Sequence, residues 1–286
     1  MPDAFRDCYY LLLFIRIAPG DPEGPLCAMI DFPESEFSEL LEKLRANRPL
    51  VHVLTNDVVQ EITADVLLAA GASPAMVVAP EESGTFAGIA DGLLINIGTP
   101  TAERIRAMNL AADAANEKQT PWVLDPVAAG GIPWRDEVIR SFVAKRPTVI
   151  RGNASEIRAL AGFSSSGKGV DSCDSSDSAL EAAQLLARAV PTVVHVTGET
   201  DYVTDGERTV SISGGHEMAT LVVGTGCSLS ALVAAFAAVT QDRVAAAAAA
   251  STLAKRAAQY AAKHAEAPGS FHVHYIDGLY LTGRKA

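Results

Sequence analysis

The chain has 286 residues, 49% of them hydrophobic and only 20% charged, so one large domain or two small ones can bury a sizeable core. A formal net charge of −11 opposes nucleic acid and anionic membrane surfaces alike, and neither is expected as a partner. The four cysteines (Cys8, Cys27, Cys173, Cys227) form no C-x-x-C pair and no metal-ligand spacing, which suits free thiols in a reducing cytoplasm.

In chain order, residues 9–15, "YYLLLFI", are apolar but end at Arg16, and Asp3 stands where a secretory leader would be basic. Met29 offers a second start, so residues 1–28 read as an appended or misassigned leader. The first 45 residues are expected to stand outside the alternation of β-branched runs and helical stretches that starts near residue 50. "LVHVL" (50–54) predicts a strand, and "DVVQEITADVLLAAG" (57–71) a helix closed by Gly71. "AMVVA" (75–79) predicts a strand with a short acidic helix behind it. "GLLINIG" (92–98) reads as a strand before a helix at 101–117, and "PWVLDP" (121–126) as one before a helix at 135–145. "TVIRGN" (148–153) runs into a helix at 154–162, and a helix at 178–189 leads into the strand "PTVVHVT" (191–197). "DYVTD" and "RTVSIS", joined around Gly206, predict a β-hairpin. Ala-rich helices at about 226–239 and 243–264 and a terminal helix near 270–282 follow.

Residues 163–178, "FSSSGKGVDSCDSSDS", form a polar low-complexity loop, ordinarily a solvated connector. Residues 218–240 carry no charge and are long enough to span a bilayer, but Gly224, Gly226 and several hydroxyls interrupt them. They read as a buried strand, a turn and a buried helix. Strand–helix alternation without a linker predicts an α/β fold in one domain, with a largely parallel central sheet and helices on both faces.

Ligands of parallel α/β sheets bind beyond the carboxyl ends of the strands. That rule selects Thr55-Asn56-Asp57, Asn96 to Thr99, Asp125-Pro126, Arg151-Gly152-Asn153, Thr197-Gly198-Glu199 and Gly224 to Cys227. Asn153 to Glu156 has the spacing of a capping box, yet Glu156 also suits a metal–phosphate site with Arg151 beside it, and the two roles are compatible. Thr55, Asn56 and Asp57 would serve as a cap for a helix at 58–70. Asp125 has no local backbone duty, and hard cations such as Mg²⁺ take one or two carboxylates together with phosphate. His195 alternates with valines and reads as a packed residue, while His272 and His274 lack partners at zinc spacing.

Gly224 and Gly226 let successive amides point at one anion, and the helix that follows adds its positive N-terminal end. That combination favours a phosphoryl group, and the same field is expected to lower the Cys227 thiol pKa. The alternative is a small buried hydrophobe in a close helix–strand contact.

Taken in order, "PLVHVLTNDVV", "LLAAGASPAMVVAPEE", "LLINIGT", "VLDPVAAG", "IRGNASEI", "VTGETD", "GTGCSLSALVAAF" and "PGSF" resemble the hydroxyethylthiazole kinases of the ribokinase-like superfamily, from about residue 47 to 275. The resemblance implies a ribokinase-like fold at 47–286, with 1–46 a leader and first helix outside the match. It implies ATP- and Mg²⁺-dependent phosphorylation of 4-methyl-5-(2-hydroxyethyl)thiazole in thiamine salvage, by a cytoplasmic homotrimer with active sites between subunits. By matching motifs, Cys227 stands at the catalytic position, and Met76, Gly224 and Asn56 are expected at the thiazole. Arg151 and Thr197 are expected at ATP, with Asp125 and Glu156 at the metal. Asp57, Val223 and the order of small residues after Asp125 depart from the family pattern. The rival readings are a hydroxymethylpyrimidine or pyridoxal kinase of the same superfamily, and a non-catalytic thiazole or nucleotide sensor.

Overall fold

The alternation begins earlier than residue 50 in the computed structural model, which describes residues 29–162 and 176–284. Strand β1 (Met29–Asp31) leads into α1 (Glu34–Asn47), whose Phe37, Leu40, Leu41 and Leu44 recur at helical spacing and are all buried. Next come β2 (Leu50–Leu54), α2 (Gln60–Ala70), β3 (Ser73–Ala75), α3 (Pro80–Ala87), β4 (Gly92–Asn96) and α4 (Ala102–Lys118). The middle of the chain holds β5 (Trp122–Asp125), α5 (Pro133–Val143), β6 (Val149–Asn153), α6 (Ala154–Leu160), α7 (Leu180–Ala189) and β7 (Val193–Thr197). The hairpin β8 (Asp201–Thr204) and β9 (Thr209–Ile212), then α8 (Thr225–Ala237), α9 (Arg243–His264) and α10 (Pro268–Leu281), complete the described residues.

The nine strands form one sheet in the order β1-β9-β8-β7-β6-β5-β4-β2-β3. Pairing is parallel except within β7-β8-β9, so the expected largely parallel α/β architecture is present. The strand period of two sorts the core into two layers. Val51, Val53, Leu94, Val123, Val149 and Val193 face α1, α2, α8, α9 and α10. Leu54, Leu93, Ile95, Leu124, Ile150 and Val194 face α3 to α7. Continuing the first set by two or four residues brings Asn96, Asp125, Arg151 and Thr197 to the carboxyl ends of four adjacent strands. They share one face, under the start of α8.

Several elements differ from expectation, among them the buried strand expected before Gly224: Glu217–Leu221 form a 3₁₀ turn, Leu221 and Val223 are exposed, and no strand leads into α8. The strand expected at 75–79 is instead β3, three residues long, paired only with β2 and ending at the register pair His52↔Ala75. Pro74 lacks a backbone N–H and fits such an edge. Beyond Ala75 the chain leaves the sheet, and a side chain takes over from the ladder, with His52 Nε2 2.7 Å from Val77 O. Residues 29–47 join the body instead of standing outside it. β1 pairs parallel with β9, Met29↔Thr209 to Asp31↔Ser211, where no local pattern announces a strand. α5 starts two residues early because Pro133 occupies its first turn. The leader 1–28 and most of the loop 163–178 lie outside the described residues.

Candidate active site

Asp125 closes β5 with 2% of its surface exposed. Its Oδ2 accepts from Asn96 Nδ2 on β4 and from Ser230 Oγ on α8, both at 2.8 Å. Asn96 Oδ1 accepts in turn from Gly98 N and Asn56 Nδ2, both at 3.0 Å. Asn56 Nδ2 also donates to Cys227 Sγ at 3.6 Å. A continuous chain of hydrogen bonds therefore joins Cys227, Asn56, Asn96, Asp125 and Ser230. Burial pushes Asp125 up to about 6, with the Arg151 guanidinium pulling against the shift and the Glu156 carboxylate adding to it.

Asn56 does not cap α2, whose start has no side-chain cap. Its Oδ1 accepts from Val58 N at 3.0 Å in a local turn, which aims its amide at Asn96 and Cys227. Asp57 pairs with Arg104 and Gln60, so its added negative charge is met by a cation at the same rim.

Glu156 carries out the capping role in full. Asn153 Oδ1 accepts from Glu156 N and Glu156 Oε2 accepts from Asn153 N, each at 2.9 Å. Its other oxygen accepts from Ala128 N at 2.8 Å, which pins the turn after Asp125 against the start of α6. The cap thus holds a second carboxylate where its charge is felt by Asp125.

Arg151, on β6, donates from Nη2 to Thr197 Oγ1 at 2.6 Å, while its Nε is buried without a hydrogen-bond partner. Both residues line a cleft of about 950 Å³ together with Glu199, His216, Lys255 and Tyr275. Gly224 sits at φ 93°, and a Cβ there would meet Ile62 Cγ2 at 2.5 Å, so both the turn and the close approach to α2 require glycine. A Cβ on Gly226 would stand 3.1 Å from Arg151 Nη1, so its absence lets the guanidinium lie against the first turn of α8. No side chain caps that helix, which leaves its first amides for water or an anion.

Cys227 corrects one expectation. Burial, then the negative charge of Asp125, push its thiol up to about 11, while Asn96, Arg151 and Asn56 only partly offset them. The helix end does lend positive charge, but losing water around a thiolate costs more when a buried carboxylate stands nearby. Gly224 is the N-cap of α8, three residues before Cys227, and Asn56 reaches the same thiol from beyond the end of β2. Met76 stands apart from the hydrogen-bonded chain, half-buried against the same core on the segment after β3. His195 is fully buried as expected of a packed residue, and burial lowers its pKa, leaving a neutral ring 3.5 Å from Asp201 Oδ2.

Asn96 stood among the strand-end residues selected from sequence but was given no role there, and Ser230 was not selected at all, although it follows Cys227 by three residues on one helix face. Lys255 offered no such sign inside an alanine-rich helix.

The hydroxyethylthiazole kinase family model matches residues 41–283. The hydroxyethylthiazole kinase of Pectobacterium carotovorum is 54% identical over 250 residues, 87% of this chain and 95% of that protein. That of Klebsiella pneumoniae is 55% identical over 243 residues, 85% of this chain and 94% of the other. Among solved structures, hydroxyethylthiazole kinase from Pyrococcus horikoshii superposes with a TM-score of 0.79 at 41% identity, covering 86% of this chain and 93% of its own. An ADP complex of Bacillus subtilis pyridoxal kinase, 21% identical with a TM-score of 0.55 over 73% and 90% of the two chains, shares the fold alone.

Proposed function

The chain belongs to the hydroxyethylthiazole kinase family, and on that premise we propose that it transfers the γ-phosphoryl group of ATP to the primary hydroxyl of 4-methyl-5-(2-hydroxyethyl)thiazole in thiamine salvage. It is a phosphotransferase with an alcohol acceptor. The observation that carries the reading is the junction at Gly224–Cys227. There a buried, part-unpartnered Arg151 lies against the uncapped start of α8, next to the Asp125–Asn96–Asn56–Cys227 chain. An anion and a hydroxyl group meet there with cations and amides on one side and polar acceptors on the other.

Phosphoryl transfer passes through a loose transition state whose charge lies on the moving oxygens, so positioning and electrostatics do most of the work. Arg151 and the first amides of α8 bind that charge, and Thr197 fixes the guanidinium. Asn56, Gly224 and Met76 aim the alcohol from the thiazole side. Cys227, a protonated thiol near neutral pH, packs beside the hydroxyl and orients it through Asn56. The alcohol's proton leaves late, to phosphoryl oxygen or water.

Magnesium fits the donor set in a limited way. Among the described residues no group of three or more His, Cys, Asp or Glu is arranged to hold a metal. Asp125 and Glu156 still provide two hard carboxylates in one field, and the raised Asp125 shows a buried negative charge short of compensation. That suits an ion that takes one or two carboxylates and completes its shell with phosphate and water. When bound, the ion supplies positive charge to the triphosphate.

Exposed Val58, Leu221 and Val223, close in sequence to Asn56 and Gly224, support a subunit boundary beside the thiazole pocket, and the homotrimer itself is carried by the family reading. The net charge of −11 disfavours nucleic acid and anionic membrane as partners, and no helix among the described residues is long and apolar enough to cross a membrane. A coupled ADP-release assay with Mg²⁺ tests the reading, run with the thiazole, hydroxymethylpyrimidine and pyridoxal as alternative alcohols. Thiazole-dependent ADP release is expected. Equal release with and without the thiazole, in protein free of contaminating ATPase, would remove the reading.

A further inference from the structure

Lys255 faces the cleft from α9, and the catalytic reading leaves it unused. Its Nζ donates to Glu199 O at 2.9 Å, Gly198 O at 3.1 Å and Gly214 O at 3.2 Å. It also pairs with Asp201 Oδ1 at 3.2 Å. These oxygens come from two walls of the cleft: the corner after β7 and the turn after β9. The β8–β9 ladder ends at Asp201↔Ile212, and beyond that pair the ammonium bridges corner and turn. Gly198 is held on both sides, since its N–H donates to Asp201 Oδ1 at 2.9 Å while its carbonyl accepts from Lys255. Ser251, one helical turn before Lys255, donates to the other oxygen of Asp201, so one face of α9 grips the corner twice. The residue before Gly198 is Thr197, the partner of Arg151.

We propose that Lys255 and Asp201 form an ionic clamp that fixes the distance between the two walls at the nucleotide end of the cleft. Lys255 is then a positioning residue for ATP and not for the thiazole. The proposal rests on the nucleotide reading of this cleft given above. Its physical basis is that the one ammonium offsets the mutual repulsion of three converging carbonyl dipoles and ties the turn after β9 to the corner beyond the end of the ladder. Without the ammonium their dipoles repel, the corner turns away, and Thr197 no longer presents its hydroxyl to Arg151 at the same angle.

The test compares the wild type with three variants: Lys255→Met, Lys255→Arg, and the double variant Lys255→Met/Asp201→Asn. The double variant removes both charges of a buried pair, which protects folding if the single Met change leaves Asp201 uncompensated. ATP affinity is measured by calorimetry, and the KM of each substrate by steady-state kinetics. Losing charge-assisted hydrogen bonds that order the site is expected to raise ATP Kd and KM about tenfold in the Met variants, with thiazole KM changed less than about twofold. The Arg variant, whose planar fork addresses fewer of these oxygens, should raise ATP KM about threefold. Unchanged ATP affinity in the Arg and double variants overturns the clamp, as does an equal rise in both KM values alongside a fall in Tm. If the wild type binds ATP but leaves the thiazole untouched, the thiazole reading fails and the calorimetry still decides the clamp. A wild type that binds no ATP overturns both.

Discussion

Replacing Cys227 by aspartate tests whether this position lacks a base. With its pKa pushed up to about 11, the thiol is ionised in only about one molecule in 3,000 at pH 7.5. A carboxylate starts from an ordinary value near 3.9 and would need to rise by more than about 3.5 units to be neutral at that pH. Asp125, more buried and within reach of Glu156, rises only to about 6. The new carboxylate therefore stays ionised and can accept the alcohol's proton. A well-placed base contributes about 10²–10⁴-fold when proton transfer is part of the transition state, but here the proton leaves late. The expected gain in kcat is accordingly small, about two- to tenfold, with ATP KM raised severalfold by repulsion between the carboxylate and the γ-phosphate. Cys227→Ala should lower kcat by a similar factor and leave ATP binding intact. Coupled ADP release at saturating thiazole, over pH 6.5–9, measures all three proteins. If the thiolate were the working base, wild-type kcat would climb about tenfold per pH unit through this range. The reasoning is refuted by such a slope, by an inactive aspartate variant that binds ATP normally, or by an alanine variant as fast as the parent.

Glu156→Gln leaves a single acceptor where two carboxylate oxygens now hold the amides of Asn153 and Ala128. It should lower stability by about 1–2 kcal/mol and kcat by tenfold or more, and a Tm shift with normal kcat would confine the residue to capping. Asp125→Asn should stabilise the metal-free protein while abolishing turnover. The folded-state pKa of Asp125 is raised to about 6, so burying its charge weakens the fold as pH climbs from about 4 through 6. Asparagine removes that titration, and its advantage in urea unfolding with EDTA should grow from near zero at pH 4 to about 1–3 kcal/mol at pH 8. A constant difference across that range would place the raised pKa in error. Deleting residues 1–28 should leave Tm nearly unchanged and kcat within about twofold, because β1 starts at Met29; a protein that becomes insoluble or monomeric would show that the leader covers a surface.

Much of the fold was legible because apolar runs with helices between them permit few other arrangements. "GLLIN" is buried at every position, as a strand covered on both faces must be. The elements that escaped depend on distant partners. β1 is three residues whose partner, β9, lies about 180 positions along the chain, and nothing in Met29–Asp31 states that pairing. β3 ends where it does because His52, on the neighbouring strand, binds Val77 O in place of a ladder partner. Apolar alternation through 75–79 cannot carry that information.

The candidate site divides along the same line. Asp125, Arg151, Thr197 and Cys227 could be nominated from sequence because each sits where a strand ends or a helix begins, and those positions have local signatures. Their charge states could not, since these belong to the assembled cluster. The glycine turn and helix start argued for an acidic thiol at Cys227, whereas burial and a carboxylate 102 residues earlier make it a weak acid. Lys255 is the extreme case: its four oxygens come from the loops after β7 and β9 and from Asp201, and only the closed sheet brings them within 3.2 Å of one ammonium. A residue that touches no substrate, yet fixes the walls that do, leaves no mark in its own neighbourhood of the chain. It becomes visible when every buried charge is asked what holds it.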